Sequence, residues 1–315
     1  MRSRVFPTIR ILSVLVATVV SLSGCAAFGG SGFYWNLLQA RRAGRSFYRS
    51  YEHVDRDVAF TDVSDVRLDV YSPPGGDDHP VFIFVHGGSW TSYDKETFVP
   101  VAMQLLPRDM VVVIPDYTLY PDATYEQMAR EVAAAVEWTM EHATDYRGDP
   151  RRIVLGGHSA GGHLSALVAF DPKWLAEFDR TPDELCGWIG LSGVYDVARH
   201  VDLRREAGEE SPTTTAVMGG EKNFETASPI TYVRQRHGSR VARAWLIHGE
   251  DDETVPVSIS ESFAVALQES GVDTVFLPYP QTGHSDFLFE ALSDPDARVL
   301  RDIGAVLAGC GAGHP

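Results

Sequence analysis

Apolar runs of strand length alternate with helical patterns along most of this chain. The stretches 80–88 (PVFIFVHGG) and 110–117 (MVVVIPDY) are almost continuously apolar, which is typical of strands buried on both faces of a parallel sheet. Residues 66–73 (VRLDVYSP) alternate apolar and polar positions, as an edge strand does. Residues 124–143 place their apolar side chains on one helical stripe. This alternation predicts an α/β fold in which helices flank a mostly parallel central sheet.

The alternation continues toward the C-terminus and is interrupted once. Residues 151–170 have the pattern of a strand, a tight turn and a helix, and strand patterns follow at 187–196, 242–250 and 273–280. Residues 195–241 are mostly polar and have no sustained apolar period. Because so long an insertion in a compact domain is usually functional, we expect it to form a small cap over the C-terminal edge of the sheet.

The first residues have the layout of an export signal. In residues 1–24, three arginines precede the apolar run ILSVLVATVVSL, which is too short to span a bilayer as a resident helix. The segment LSGC that follows resembles the lipobox of bacterial lipoproteins, in which the cysteine, here Cys25, receives a diacylglycerol. We expect an exported, membrane-anchored lipoprotein of the cell envelope, with residues 25–50 as a tether and short helix. The alternative is an ordinary signal peptide followed by an incidental cysteine.

The remaining composition excludes some partners. The 315 residues carry a formal net charge of −16, and this acidity argues against nucleic acid and against electrostatic docking on anionic lipid. Residues 51–309 are predicted to form one domain, followed by a tail at 310–315. We expect Cys186 and Cys310 to be unpaired thiols, although export would permit a disulfide. The spacing of His and Cys predicts no metal site.

The sequence GHSAG, residues 157–161, is the first candidate for chemistry. It follows a strand pattern and opens a helix, which is the context of a nucleophile elbow. The glycines flank Ser159 because such a turn is strained and crowded. The alternative is a turn of small residues that allows close helix packing.

The loop VHGGSW supplies a second element after another buried strand. Acyl transfer passes through an oxyanion, which requires two preorganised N–H donors. Ala160 would provide one donor, and Gly87 or Gly88 the other. The aromatic residues Trp90 and Tyr93 come next, and we expect them to narrow a substrate pocket.

A base and an acid follow in the order that α/β-hydrolases use, Ser then Asp or Glu then His. His284 lies in a glycine-containing loop after the last predicted strand. The segment HGEDDETVP, residues 248–256, carries four consecutive carboxylates, only one of which can reach His284 from a turn. His163, four residues after Ser159, is expected to pack or bond locally. The other histidines are interpreted as residues bordering turns or lying at the surface near the insertion: His86, His158, His248, His200 and His237.

Taken in order, HGGSW…DK, PDYTLYP, GGHSAGGH, GLSGVYD, HGEDDETVP and GHSD resemble the α/β-hydrolase esterases over roughly residues 55–308. The resemblance is to the branch with isoprenylcysteine methylesterase-like proteins, kynurenine formamidases and bacterial feruloyl-esterase-like enzymes. It implies the α/β-hydrolase fold and puts the acid at Asp252, where the pattern HGxxDxxVP falls. Ser89 and Tyr93 depart from the small residues that many relatives have there, which leaves the size of the acyl pocket open.

These features predict a serine carboxylesterase that needs no cofactor and acts on short acyl or compact aryl esters. The predicted catalytic residues are Ser159, His284 and Asp252, with Gly87, Gly88 and Ala160 as oxyanion hole. Predicted pocket residues are Trp90, Tyr93 and Tyr195. An amidase, formamidase or serine peptidase would use the same machinery, and a non-catalytic binding lipoprotein of this fold is a further alternative. The sequence leaves the oligomeric state open.

Overall fold

A mixed sheet of eight strands organises the part of the chain that the structure describes. The structure is a computed structural model that describes residues 42–310 except 63, 236–240, 242 and 295. The strand order is β1-β2-β4-β3-β5-β6-β7-β8, in which β1–β2 and β2–β4 are antiparallel and all other pairs are parallel. The strands are Val54–Ala59 (β1), Arg67–Tyr71 (β2), His79–Val85 (β3), Val111–Pro115 (β4), Gly148–His158 (β5), Gly187–Leu191 (β6), Arg243–Gly249 (β7) and Asp273–Tyr279 (β8).

Helices cover both faces of this sheet. In β3, Val81 and Ile83 belong to the apolar core on one face, and Phe82 and Phe84 belong to the core on the other. This double burial explains the continuous apolar runs, and the predicted fold class is confirmed. The helices are 42–50 (α1), Val99–Leu105 (α2), Tyr125–His142 (α3), Ala160–Phe170 (α4), Lys173–Ala176 (α5), Val197–Glu206 (α6), Pro212–Val217 (α7), Pro229–Gln235 (α8), Ser258–Glu269 (α9), Asp286–Ser293 (α10) and Arg298–Gly309 (α11).

The strand β2 is not an edge strand, which corrects the expectation from its alternating sequence. It pairs with β1 on one side and with β4 on the other. Its polar residue Asp69 is fully buried, where it accepts hydrogen bonds from the Asp57 N–H (3.0 Å) and the Tyr71 hydroxyl (3.2 Å). The alternation therefore arises from a buried, satisfied carboxylate and not from a solvent-facing side.

The expectation of two unpaired thiols was wrong, because Cys186 and Cys310 form a disulfide with a Cα–Cα distance of 5.7 Å. Cys186 lies just before β6, and Cys310 follows α11, whose apolar face packs on the same core cluster. The Arg152 side chain donates a hydrogen bond to the Cys310 carbonyl (2.9 Å). Cys310 is thus fixed to the domain and is not part of a free tail.

The described residues of the insertion form three short helices, α6 to α8, which its weak apolar periodicity did not predict. Asp196 caps α6 by accepting from the Arg199 N–H (3.0 Å). The Ser228 hydroxyl accepts from the Val197 N–H (2.8 Å) and donates to the Phe224 carbonyl (2.6 Å), which joins the start of α6 to the segment just before α8.

Several sequence-based expectations concern residues outside the described part. These are the signal at 1–24, Cys25 with most of the tether, His237, and residues 311–315. Among the described residues, no helix combines the length and the apolarity that crossing a membrane requires. The described end of the tether, α1, packs on the domain through Phe47, whose ring stacks on that of Tyr71 in β2 with centroids 6.5 Å apart.

Candidate active site

Ser159 lies on a sharp turn between β5 and α4. Its backbone has φ 54° and ψ −118°, a conformation that L-residues adopt only under constraint, at a cost of roughly 1–3 kcal/mol. A Cβ on Gly161 would lie 2.1 Å from the Val85 carbonyl oxygen, and one on Gly157 would lie 2.5 Å from the Gly161 backbone. Only glycine fits at these two positions, because the strand and the helix meet so closely there.

The structure brings Ser159, His284 and Asp252 into one chain of hydrogen bonds. The Ser159 Oγ lies 2.9 Å from His284 Nε2, and His284 Nδ1 lies 2.7 Å from Asp252 Oδ2. Asp252 and His284 lie in loops after the neighbouring parallel strands β7 and β8, so their side chains meet at the same edge of the sheet. Of the four consecutive carboxylates only Asp252 is buried, at 7% exposure.

Asp252 accepts hydrogen bonds at both carboxylate oxygens. Its Oδ1 accepts from the N–H groups of Thr254 (2.9 Å) and Val255 (2.8 Å), and its Oδ2 contacts His284 and, at 3.0 Å, His248 Nε2. Burial alone would raise the pKa of Asp252, but the charge of His284 and hydrogen bonds from both histidines hold that pKa well below its usual range. Asp252 is therefore an ionised carboxylate in a buried site.

His248 and His158 support this chain, and sequence reasoning had taken both for residues that merely border turns. His248 is fully buried, and its Nδ1 lies 2.6 Å from the Ser260 hydroxyl. His158 Nε2 donates to the backbone carbonyl of His284 (2.9 Å), and the two rings pack with centroids 4.8 Å apart. Burial lowers the pKa of His158 to about 3, so its imidazole is neutral at pH 7. The sequence signal for their role was that His248 and His158 lie at the ends of β7 and β5, the strands that carry Asp252 and Ser159 into the site.

The loop after β3 brings Gly87 against the nucleophile. A Cβ on Gly87 would lie 3.1 Å from the Ser159 Cβ and 2.9 Å from the His158 carbonyl oxygen. Gly88 has φ +130°, and a Cβ there would lie 2.1 Å from the Ser92 carbonyl oxygen. Ala160 is the first residue of α4, so its N–H has no acceptor within the helix. Gly87 and Ala160 therefore lie beside Ser159, and Gly88 follows Gly87 in the same loop.

An ion cluster around the buried Lys95 fixes the far end of this loop. Lys95 donates from its backbone N–H (2.7 Å) and its Nζ (3.2 Å) to Asp116, and its Nζ also donates to Asp57 (2.8 Å). Burial alone would lower the pKa of Lys95, but Asp57 and Asp116 raise it above its usual range. At the near end, the His86 ring stacks on Tyr117, whose hydroxyl donates to the His86 carbonyl (3.0 Å).

The structure corrects two of the three residues predicted to line the pocket. Tyr195 is fully buried, stacks on Phe263 with centroids 4.6 Å apart, and so cannot contact a substrate. Trp90 is only 3% exposed and supports the loop from inside. Tyr93 is partly exposed and its ring lies beside Gly88, so it stays a candidate.

The insertion borders a cavity of about 490 Å³. Its lining comes from α6, α7 and the segments between and after these helices, together with Tyr120 from the loop after β4. His200, expected to be a surface residue, is instead 6% exposed on α6. In the part of the chain that the structure describes, no group of three or more His, Cys, Asp or Glu residues could hold a metal ion.

A mostly parallel sheet with a serine on a strained strand-to-helix turn, and a histidine and a buried carboxylate on later strand ends, defines the α/β-hydrolase class. The chain belongs to the BD-FAE family, which it matches over residues 68–267. It is 30% identical over 266 residues to the isoprenylcysteine alpha-carbonyl methylesterase of Arabidopsis thaliana, covering 81% of this chain and 62% of that protein. It is 28% identical over 240 residues to the kynurenine formamidase of Drosophila melanogaster, covering 74% of this chain and 76% of that protein.

Solved structures show the same fold. The apo form of esterase 2 from Thermogutta terrifontis has a TM-score of 0.67 and 24% identity, covering 84% of this chain and 97% of the other. A truncated carbohydrate esterase from gut microbiota has a TM-score of 0.67 and 20% identity, covering 82% and 96%. The chain covers only 56–65% of the length of its first curated relatives.

Proposed function

We propose that this protein is a serine hydrolase that cleaves carboxylic esters through an acyl-enzyme. The observation that carries the proposal is the continuous hydrogen-bonded chain from the Ser159 hydroxyl through His284 to ionised Asp252. The names of related proteins, among them a methylesterase and the esterase LipQ of Mycobacterium tuberculosis, support an ester as the substrate.

In the proposed reaction, the Ser159 Oγ attacks the ester carbonyl while His284 Nε2 takes the hydroxyl proton. Asp252 accepts from Nδ1–H, which keeps the second ring nitrogen free as the base and stabilises the imidazolium. The N–H groups of Ala160 and of Gly87 or Gly88 bind the oxyanion. His284 then protonates the leaving alcohol, and a water activated by the same nitrogen hydrolyses the acyl-enzyme. This sequence of steps needs no cofactor.

Within ester chemistry, we propose a preference for short acyl or compact aryl groups. Support comes from Tyr93, whose ring beside Gly88 takes up space next to the proposed oxyanion hole. The insertion, residues 195–241, has three short helices and no large separate lid among its described residues, 195–235 and 241. A higher kcat/KM for long-chain lipid esters than for short esters would contradict this preference.

Formamide cleavage is a second candidate. The same nucleophile, base and oxyanion donors serve for amides. One relative, from Drosophila melanogaster, is named kynurenine formamidase, and this name favours formamide cleavage. The present chain covers 76% of that relative's length. Comparing kcat/KM for an aryl formamide with that for the matched aryl formate ester decides between the two activities.

We also propose that residues 1–24 are an export signal, that Cys25 is lipidated, and that residues 25–50 tether the domain 51–309 to a membrane. The support is the signal-like sequence and the disulfide between Cys186 and Cys310, since such bonds persist in oxidising compartments. The insertion is proposed as a cap, supported by the cavity between its helices and Tyr120.

The test uses purified protein and a panel of short, long and aryl esters. Ser159→Ala should fold and lose turnover by several orders of magnitude, because triad removal abolishes acyl transfer. Ser165→Ala is the matched control, since Ser165 is a buried serine on the same helix whose hydroxyl bonds Gly162 and Trp188 instead of the site. A fluorophosphonate should label the wild type and the control only. Wild-type turnover in Ser159→Ala would refute the mechanism.

A further inference from the structure

His163 joins three parts of the molecule that meet beside the nucleophile. It is fully buried on α4, four residues after Ser159. Its Nδ1 lies 3.2 Å from Trp90 Nε1 in the loop after β3, and its Nε2 lies 2.7 Å from the Ala227 carbonyl in the insertion. Both partners are distant in sequence, which corrects the expectation of local bonding.

The two partners fix the protonation of this imidazole. An indole nitrogen only donates, so Nδ1 must accept from Trp90. A carbonyl only accepts, so Nε2 must carry the proton that bonds Ala227. His163 is therefore neutral with its proton on Nε2, in agreement with burial lowering its pKa to about 4.

The segment that Trp90 terminates is strained. Gly88 has φ +130°, and the next two residues, Ser89 and Trp90, have φ 52° and 61°, in the left-handed region that non-glycine residues avoid. Such residues cost of order 1–3 kcal/mol each and persist only where surrounding contacts determine them. Trp90 has two such contacts: its carbonyl accepts from the Tyr120 N–H (2.9 Å), and its indole donates to His163.

We propose that His163 is a positioning residue that holds Gly87 and Gly88 in register with Ser159 by accepting from Trp90. The helix that presents the nucleophile thereby also fixes the loop that presents the oxyanion donors. The bond to Ala227 orients the imidazole and ties the insertion to the same point. This inference rests on the proposed function, since it assigns the loop a role in oxyanion binding.

A donor that moves away from the oxyanion weakens transition-state binding more than substrate binding. His163→Leu removes the acceptor and keeps an apolar side chain, and Trp90→Phe removes the donor. We expect each to lower kcat by about 10- to 100-fold with KM changed by less than about threefold, because small misplacements of catalytic groups have effects of this size. The kcat of the double variant should be no lower than that of the slower single variant, because the two substitutions remove the same hydrogen bond.

The conservative variant His163→Asn separates this role from packing. Its Oδ1 falls near the position of Nδ1 and can accept from Trp90, whereas nothing in it reaches Ala227. We expect it to recover kcat to within about fivefold of the wild type, although it is less stable. Ser165→Ala is the control, since it removes the acceptor of another buried indole on α4, Trp188 Nε1 at 3.1 Å, away from the loop. It should lower the melting temperature and leave kcat unchanged.

Each outcome decides one question, with folding followed by circular dichroism and thermal melting. If His163→Leu or Trp90→Phe folds and keeps wild-type kcat, the inference is wrong. If His163→Asn is as slow as His163→Leu, the role is packing and the inference is also wrong. If His163→Leu does not fold, the comparison of Trp90→Phe with His163→Asn decides. If the wild type hydrolyses no ester or formamide, the proposed function fails first and the inference falls with it.

Discussion

Replacing Asp252 by asparagine tests the proposed mechanism at its most buried group. The Asp252 Oδ1 accepts from two backbone N–H groups, at 2.9 Å from Thr254 and 2.8 Å from Val255. In Asp252→Asn the amide oxygen must keep this position, because an NH₂ group there would face two donors. The amide nitrogen then occupies the Oδ2 position, 2.7 Å from His284 Nδ1.

The amide nitrogen donates, so His284 Nδ1 has to become an acceptor and the ring proton moves to Nε2. That nitrogen faces the Ser159 hydroxyl and can no longer take its proton. We expect kcat to fall by a factor on the order of 10²–10⁴, as when a triad acid enforces the wrong tautomer. At about 1.4 kcal/mol per tenfold, this raises the activation barrier by about 3–6 kcal/mol. The fold should survive, because His248 Nε2 retains the Val255 carbonyl as acceptor, at 2.8 Å.

The assay measures kcat on one good ester substrate, with circular dichroism as the check on folding. Asp251→Asn and Glu250→Gln are matched controls, because both side chains are exposed in the same turn. Each should change kcat by less than about tenfold, since surface substitutions are mild as a rule. If Asp251→Asn loses activity and Asp252→Asn keeps it, the reasoning is refuted and the triad acid is Asp251.

Three further predictions concern stability and export. Removing the disulfide with Cys186→Ser/Cys310→Ser should cost about 5 kcal/mol of unfolding free energy, because the bond closes a loop with a sequence separation of 124 residues, and reductant should lower the melting temperature of the wild type only. Burial lowers the pKa values of three histidines to about 3, 4 and 4. Their contribution to the free energy of unfolding is therefore fully present above the unfolded pKa near 6.5 and is lost as the pH falls toward 4. These histidines are His158, His163 and His200. A melting temperature that stays constant from pH 7 to 5 would contradict this. The full-length precursor should incorporate labelled fatty acid and fractionate with membranes, whereas Cys25→Ser should not be lipidated.

The features that sequence could predict are those carried by local pattern or by order along the chain. The apolar runs of β3 and β4 reflect burial on both faces, which leaves a direct trace in composition. The elbow around Ser159 and the order Ser, Asp, His are likewise short motifs whose spacing survives in the sequence. Asp252 was separable from its acidic neighbours through its position in the family pattern.

The features that sequence could not predict depend on contacts between distant segments. The alternating pattern makes Asp69 look solvent-facing, and only the pairing of β1 beside β2, with the Asp57 N–H bonded to Asp69, shows that this carboxylate is buried. The sequence around Cys186 or Cys310 does not indicate that they pair, because they meet only when α11 packs on the core beside β6. His163 has partners 73 and 64 residues away, so its role was invisible from its own helix.

The disulfide also has a consequence for the order of events during biogenesis. Every element from β6 to α11 lies between Cys186 and Cys310, so the covalent bond can close only after all of them have been synthesised. Oxidation therefore cannot begin before the last helix of the domain has been synthesised. Chains that end before Cys310 should still react with a thiol-alkylating reagent at Cys186. The loss of this reactivity therefore measures when the disulfide forms.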